Sequence, residues 1–178
     1  MKVQVIKFNN ITLRPMSIND ASSFRKWFGD KEVVKYLIRQ KPSSQKESVK
    51  WIQDEIKSKV NYVWAILDEN KELIGNTRLK YDKKNKVGNL GIVIGEKKSW
   101  GKGYSCDVLI LVIDFAFKKL KCNRLELMVY SDNVRAKKLY KKLGFVFEGR
   151  QRQKLYNSIT KKFEDDEIYS ILRQEYKI

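Results

Sequence analysis

The hydrophobic pattern changes period repeatedly along the chain, and each change marks an element. Ile11-Thr12-Leu13-Arg14 alternates apolar and polar positions before Pro15, as a strand does at its end. The spacing then becomes helical: Asn19 and Asp20 are placed to cap a helix carrying Phe24, Trp27 and Phe28. Ser44-Gln45-Lys46-Glu47 has the form of a capping box and opens a second helix, with Val49, Ile52 and Ile56 along one face. Strand-like segments follow from Tyr62 to Leu67 and from Leu73 to Tyr81, joined by the polar turn Asp68-Glu69-Asn70-Lys71. A second polar turn, Asp82 to Lys86, leads into Val87 to Ile94. Beyond it the pattern predicts a helix over Tyr104 to Leu120, a strand over Leu125 to Tyr130 and a helix over Asn133 to Leu143. Strands near Phe145 to Gly149 and over Ile168 to Leu172 complete the chain. This order makes an α+β fold, a three-layer α/β/α sandwich about a mostly antiparallel sheet.

Only two prolines occur, with no Gly/Ser linker and no repeat, so residues 1–178 read as one domain. A hydrophobic content of 42% supports a packed core. No apolar run reaches the roughly 18 residues of a membrane span. The opening MKVQVIKFNN lacks the apolar stretch of a secretory signal, and the expected location is cytoplasmic. Cys106 and Cys122 form no metal or redox pattern and read as buried free thiols. Histidine is absent, which excludes Ser-His-Asp and Cys-His catalysis and removes the commonest zinc ligand; no metal is expected. Proton transfer must then use Glu, Asp, Tyr, Lys, Cys or water.

A net charge of +17 predicts attraction to anions such as phosphate cofactors, nucleic acid or ribosomes. The lysines are spread along the chain, however, and general lysine richness accounts for the charge as simply. More informative is KSWGKGYS, Lys98 to Ser105, between the apolar run LGIVIG and the helix that follows. A strand, a Gly-x-Gly loop and a helix start gather free backbone N–H groups at the positive end of a helix. Gly101 and Gly103 let the backbone approach a ligand closely, and Lys98 and Lys102 add charge. The loop is neither a Walker loop nor a dinucleotide fingerprint, and a tight strand-to-helix turn would have the same composition. A second cluster lies in the helix after Tyr130: Asn133, Ala136 and Tyr140 fall on one face, with the small Ala136 beside two hydrogen-bonding groups.

Together, LGIVIGEKKSWGKGYS and DNVRAKKLYKKLGFVFEGR resemble the GNAT superfamily of acetyl-CoA-dependent N-acetyltransferases, whose phosphate loop is Q/R-x-x-G-x-G/A. Lys98 stands in the first place of that motif. With ITLRPMSINDASSF and DDEIYSIL at the two ends, the likeness spans nearly the whole chain and is greatest to the branch of ribosomal-protein N-terminal and spermidine acetyltransferases. It implies a splayed sheet in which Ile92, Val93 and Ile94 bind the pantetheine arm. It also implies that amides from Gly101 through Tyr104 to Ser105 hold the pyrophosphate of the cosubstrate acetyl-CoA. Lys98 and Lys102 suit the same anion, Lys137 or Lys138 the 3′-phosphate, and Asn133 the pantetheine beside Ala136. Tyr140 matches the general acid that protonates the leaving thiolate, and a backbone N–H near Val93 would polarise the thioester carbonyl. Dimers are common in this branch, so a homodimer is an expectation that no residue pattern here carries.

The base is less defined. Related enzymes carry Glu where Asn89 or Met128 stands, and neither can take a proton. Glu126 shares a strand face with Met128, and Asp165 and Asp166 lie in the acidic run 164–167; a sheet ion pair and a solvated turn explain these equally. A water chain is the further option. A lysine-like amine is neutral in only about 1 in 2,500 molecules at pH 7, and an α-amine in roughly one in seven. Lack of a base therefore favours a low-pKa acceptor, a peptide or ribosomal-protein N-terminus or an amino sugar, and the positive charge disfavours polyamines. The alternatives are a spermidine-type acetyltransferase, a non-catalytic nucleic-acid or ribosome-binding module, and an acetyl-CoA-binding pseudoenzyme. For the acceptor pocket the aromatic candidates are Trp27, Phe28, Tyr36, Trp64 and Tyr169.

Overall fold

The structure is a computed structural model that describes residues 3–37, 44–157 and 159–177. Eight strands form one sheet: β1 Ile6–Phe8, β2 Ile11–Pro15, β3 Asn61–Leu67, β4 Leu73–Asp82, β5 Val87–Ile94, β6 Arg124–Tyr130, β7 Val146–Asn157 and β8 Lys162–Leu172. Their order is β1-β2-β3-β4-β5-β6-β8-β7, and every neighbouring pair is antiparallel except β5 with β6. Helices α1 Ala21–Phe28, α2 Lys31–Val34 and α3 Gln45–Lys57 cover one face; α4 Tyr104–Asp114 and α5 Val134–Lys142 cover the other. The α+β three-layer architecture expected from the pattern is the one observed.

Alternation along β3 feeds two cores. Tyr62, Trp64 and Ile66 pack with Val108, Leu109 and Val112 of α4, whereas Val63 faces Phe24, Trp27 and Ile52. Trp64, Phe24 and Ile52 are completely buried, and each such side chain stabilises the fold by about 1.5–3 kcal/mol.

The parallel pairing of β5 and β6 is short. It runs from Val87↔Arg124 through Gly88↔Leu125 to Asn89↔Glu126, and beyond that the strands part. Each keeps its outer partner: β5 stays on β4 as far as Gly75↔Ile94, and β6 stays on β8 as far as Tyr130↔Asp166. The sheet is thereby forked, with one wall at Leu90–Ile94 and the other at Leu127–Tyr130.

Several elements depart from the sequence expectations. The first helical segment is capped by Ser17, whose hydroxyl accepts from Asn19 N, while Asp20 closes the box on Ser17 N and pairs with Arg14 at 2.6 Å. On α3 the capping box is as expected, but Ile56 is exposed and Glu55 buried, because the sheet offers Glu55 a cation. The helix expected to reach Leu120 changes at Phe115 to a π turn over Phe115–Lys119. The last two strands are far longer than their apolar stretches. β7 is an edge strand of mostly exposed polar residues, bulged where Gln153 takes φ 52°, so it carries little hydrophobic signal. The acidic run 164–167 lies within β8 and is not a turn; Asp166 and Glu167 are buried there.

Candidate active site

A cavity of about 930 Å³ occupies the fork and continues beneath α2 and α3. One wall of it includes Ile92, Val93 and Ile94. An antiparallel ladder uses the backbone groups of alternate residues, so the others along this stretch face the fork. The Trp100 indole N–H donates to Ile94 O at 2.8 Å and ties the glycine loop to the end of β5.

Gly101 and Gly103 both adopt left-handed backbone, with φ of 83° and 85°. That conformation turns the chain sharply from the 3₁₀ turn Lys97–Ser99 into α4, for which Gly103 is the N-cap without any side-chain cap. Among the described residues no acceptor takes the N–H of Gly101, Lys102 or Gly103. A Cβ built on either glycine meets nothing within 4 Å, so the space above the loop is open. Unpaired amides at a helix start facing open space fit a pyrophosphate. Ser105 and Tyr104 also line the cavity, but the Tyr104 hydroxyl donates to Glu69 at 2.6 Å, and that hydrogen bond, with desolvation adding to it, pushes its pKa up to about 12.

The lysines sit differently from the amides. Lys98 pairs with Glu72 at 2.6 Å, which raises its pKa, and Lys102 lies 5.9 Å over the Tyr104 ring; neither lines the cavity. Lys137 donates to Ser131 O and Glu167, and Lys138 is exposed outside the cavity. The groups left free around the loop are therefore chiefly backbone amides.

On the opposite wall, Asn133 caps α5 by accepting from Ala136 N at 3.2 Å, and both residues line the cavity. Two turns on, Tyr140 is 8% exposed and also lines it. Among the described residues none hydrogen-bonds the Tyr140 hydroxyl, and desolvation pushes its pKa up to about 12. Such a phenol is a proton donor at every physiological pH.

Carboxylates are sparse near the fork. Asn89 and Met128 both line the cavity. Glu126 lies outside the lining and bonds Arg124 at 3.3 Å, in the sheet ion pair that its strand position allowed. Asp165 accepts from Gln153 N at 2.8 Å on the distal hairpin, and Asp166 is sealed away with both oxygens unpaired, its pKa raised by burial. Of the aromatic candidates Tyr36 lines the cavity; Trp27, Phe28, Trp64 and Tyr169 do not. Two lining residues that sequence reasoning missed are Glu55 and Arg78, bonded to each other at 3.3 Å. The interrupted apolar stripe of α3 at Glu55 was the available signal.

The chain matches the acetyltransferase (GNAT) domain family over residues 10–146. It is 28% identical to the uncharacterized N-acetyltransferase p20 of Bacillus licheniformis, covering 98% of this chain and 99% of that protein. It is 22% identical to a spermidine N(1)-acetyltransferase of Vibrio cholerae over 94% of this chain and 96% of the relative. Among solved structures, the Vibrio cholerae spermidine N-acetyltransferase in complex with CoA and spermine superposes with a TM-score of 0.86 at 22% identity, covering 94% of this chain and 98% of that one. A GNAT-family acetyltransferase from Bacillus anthracis gives 0.84 at 18% identity over 97% and 100%. With the forked sheet, the bare glycine loop and the matched domain in agreement, this chain belongs to the GNAT family of acetyltransferases.

Proposed function

We propose that the protein transfers the acetyl group of acetyl-CoA to a primary amine of low pKa, by direct attack within a ternary complex. The observation that carries this is a proton donor on a fork whose positions Asn89 and Met128 cannot accept a proton: Tyr140 opens onto that lining, and the carboxylates of the cavity are Glu32, Glu55 and Asp132. The amides of Gly101 to Gly103 and the helix start hold the pyrophosphate. Backbone groups along Ile92–Ile94, with Asn133 opposite, align the pantetheine arm. Bound acetyl-CoA supplies the activated acetyl group at the fork. There a backbone N–H near Val93 stabilises developing negative charge on the carbonyl oxygen, and the Tyr140 hydroxyl protonates the departing sulfur.

The amine must arrive neutral. Glu55 is engaged by Asn61 Nδ2 at 2.7 Å as well as by Arg78. Glu32, also on the lining, is paired with Lys97 at 2.7 Å, and Asp132 beside Asn133 is the lining carboxylate without an ion pair among the described residues. An acceptor already deprotonated in a sizeable fraction at neutral pH, a peptide N-terminus or an amino sugar, meets this requirement without a protein base. Release of CoA thiol should be measured with peptides, glucosamine and spermidine at pH 7.5. Peptide or amino-sugar turnover should exceed that of spermidine at least tenfold; the reverse order would assign the site to polyamines.

A further inference from the structure

The acceptor end of the cavity has a floor built from the face of the sheet that α3 covers. Register places Arg78 of β4 opposite Gly91 of β5, and Asn76 opposite Val93. All four residues line the cavity. Gly91 has no side chain, and a Cβ built there would meet nothing within 4 Å, so a hollow lies beside Arg78. The hollow is one pleat, about 7 Å, along β5 from Val93. Val93 is where the carbonyl would be polarised.

Arg78 is held in place for a ligand without being used up by the fold. Its side chain is 18% exposed, so most of its stem is fixed. Glu55 takes one guanidinium N–H at 3.3 Å, and Asn61 Nδ2 anchors the other Glu55 oxygen at 2.7 Å. A guanidinium offers five donors, and among the described residues the others have no protein partner. Asn76 is buried beside it, with its Oδ1 unpaired. The floor therefore presents surplus donors on a charge already balanced by Glu55. The free guanidinium donors favour an oxygen acceptor, whereas the unpaired Asn76 Oδ1 is itself an acceptor and suits an N–H of the same ligand.

We infer that Arg78 recognises a carbonyl oxygen adjacent to the reacting amine, which makes the acceptor an α-aminoacyl group, as in a peptide N-terminus or a free α-amino acid. The inference rests on the proposed amine acetylation and narrows it. Spermidine carries no oxygen for Arg78 to bind. Hydroxyls of an amino sugar are weaker acceptors than a carbonyl or carboxylate and lie on a ring that must fit the hollow beside Gly91.

The test is the ratio of kcat/KM for alaninamide to that for isopropylamine, which differ by the carbonyl group, with acetyl-CoA affinity measured by calorimetry. In Arg78→Met the ratio should fall about 10- to 100-fold, the range of a lost charge-assisted hydrogen bond. Acetyl-CoA affinity should stay within twofold. Because that variant leaves Glu55 without its counter-charge, the double variant Arg78→Met/Glu55→Met, which removes both charges, should show the same fall. Arg78→Lys keeps the charge without the fork and should lie between. A ratio unchanged in the folded single or double variant overturns the assignment while leaving acetyl transfer intact. A wild-type preference for glucosamine over alaninamide and N-terminal peptides also overturns it. Failure of acetyl-CoA-binding protein to acetylate any amine overturns both the assignment and the proposed reaction.

Discussion

Tyr140 is buried on the wall of the fork, and burial alone lifts its pKa to about 12. An acid shifted upward stays protonated until pH approaches that value, so Tyr140 does not limit catalysis from the alkaline side in the working range. As pH rises, the amine loses its proton and attack accelerates. The profile of kcat/KM against pH, at saturating acetyl-CoA, should therefore rise to a plateau with no descending limb between pH 8 and 10. A limb falling near the ordinary tyrosine value of 10 would mean that the hydroxyl is not shielded as the structure has it. Asn133 and Tyr140 were legible in the sequence because helical spacing puts them on one face. Arg78 and Glu55 were not, because each is an ordinary charged residue until strand register and helix packing bring them together.

Among the elements, the glycine loop is most sensitive to substitution. Gly103→Ala should cost about 1–2 kcal/mol through its left-handed backbone, since the added methyl meets no neighbour. It should also weaken acetyl-CoA binding by crowding the amides; calorimetry and thermal melting read the two effects separately. At the other end of the sheet, Glu148 of β7 reaches across β8. It accepts from Arg124 of β6 at 2.6 Å and from Ser170 at 2.7 Å, and these hydrogen bonds hold its carboxyl down to about 2. A depressed carboxylate pKa contributes stability that is present above the ordinary value near 4.5 and is lost as pH falls through the folded one. The melting temperature of the Glu148→Gln protein should thus depend less steeply on pH between 4.5 and 2 than that of the wild type; an equal slope would mean that this clasp adds nothing. Strands β2 to β6 were legible to within a residue or two because each is half-buried or bounded by polar turns. β7 was not, because an exposed edge strand needs no apolar alternation, and its partner β8 hid its acidic half as if it were a loop.

For the whole molecule, the charge of +17 acts at a distance more than at the loop. Lys98 is paired with Glu72, and Lys97 with Asp30 and Glu32, so the two lysines just before the loop are largely neutralised, while Lys102 within it has no ion pair among the described residues. The remaining field still attracts a polyanion, and salt screens it. The KM for acetyl-CoA should rise several-fold between 50 and 500 mM salt while kcat for a neutral acceptor stays level; a KM indifferent to salt would confine recognition to the backbone amides. Among the described residues no helix is long and apolar enough to cross a membrane. The fold, the cavity and the family agree on the donor side of the reaction, and the proposed chemistry turns on one hydroxyl. Its most direct test is Tyr140→Phe, measured by CoA thiol release at saturating acetyl-CoA together with acetyl-CoA affinity. We predict a fall in kcat of about 100-fold, the size of a lost general acid, with affinity within twofold of wild type. An unchanged kcat, under conditions where chemistry limits turnover, would contradict Tyr140 as the proton donor.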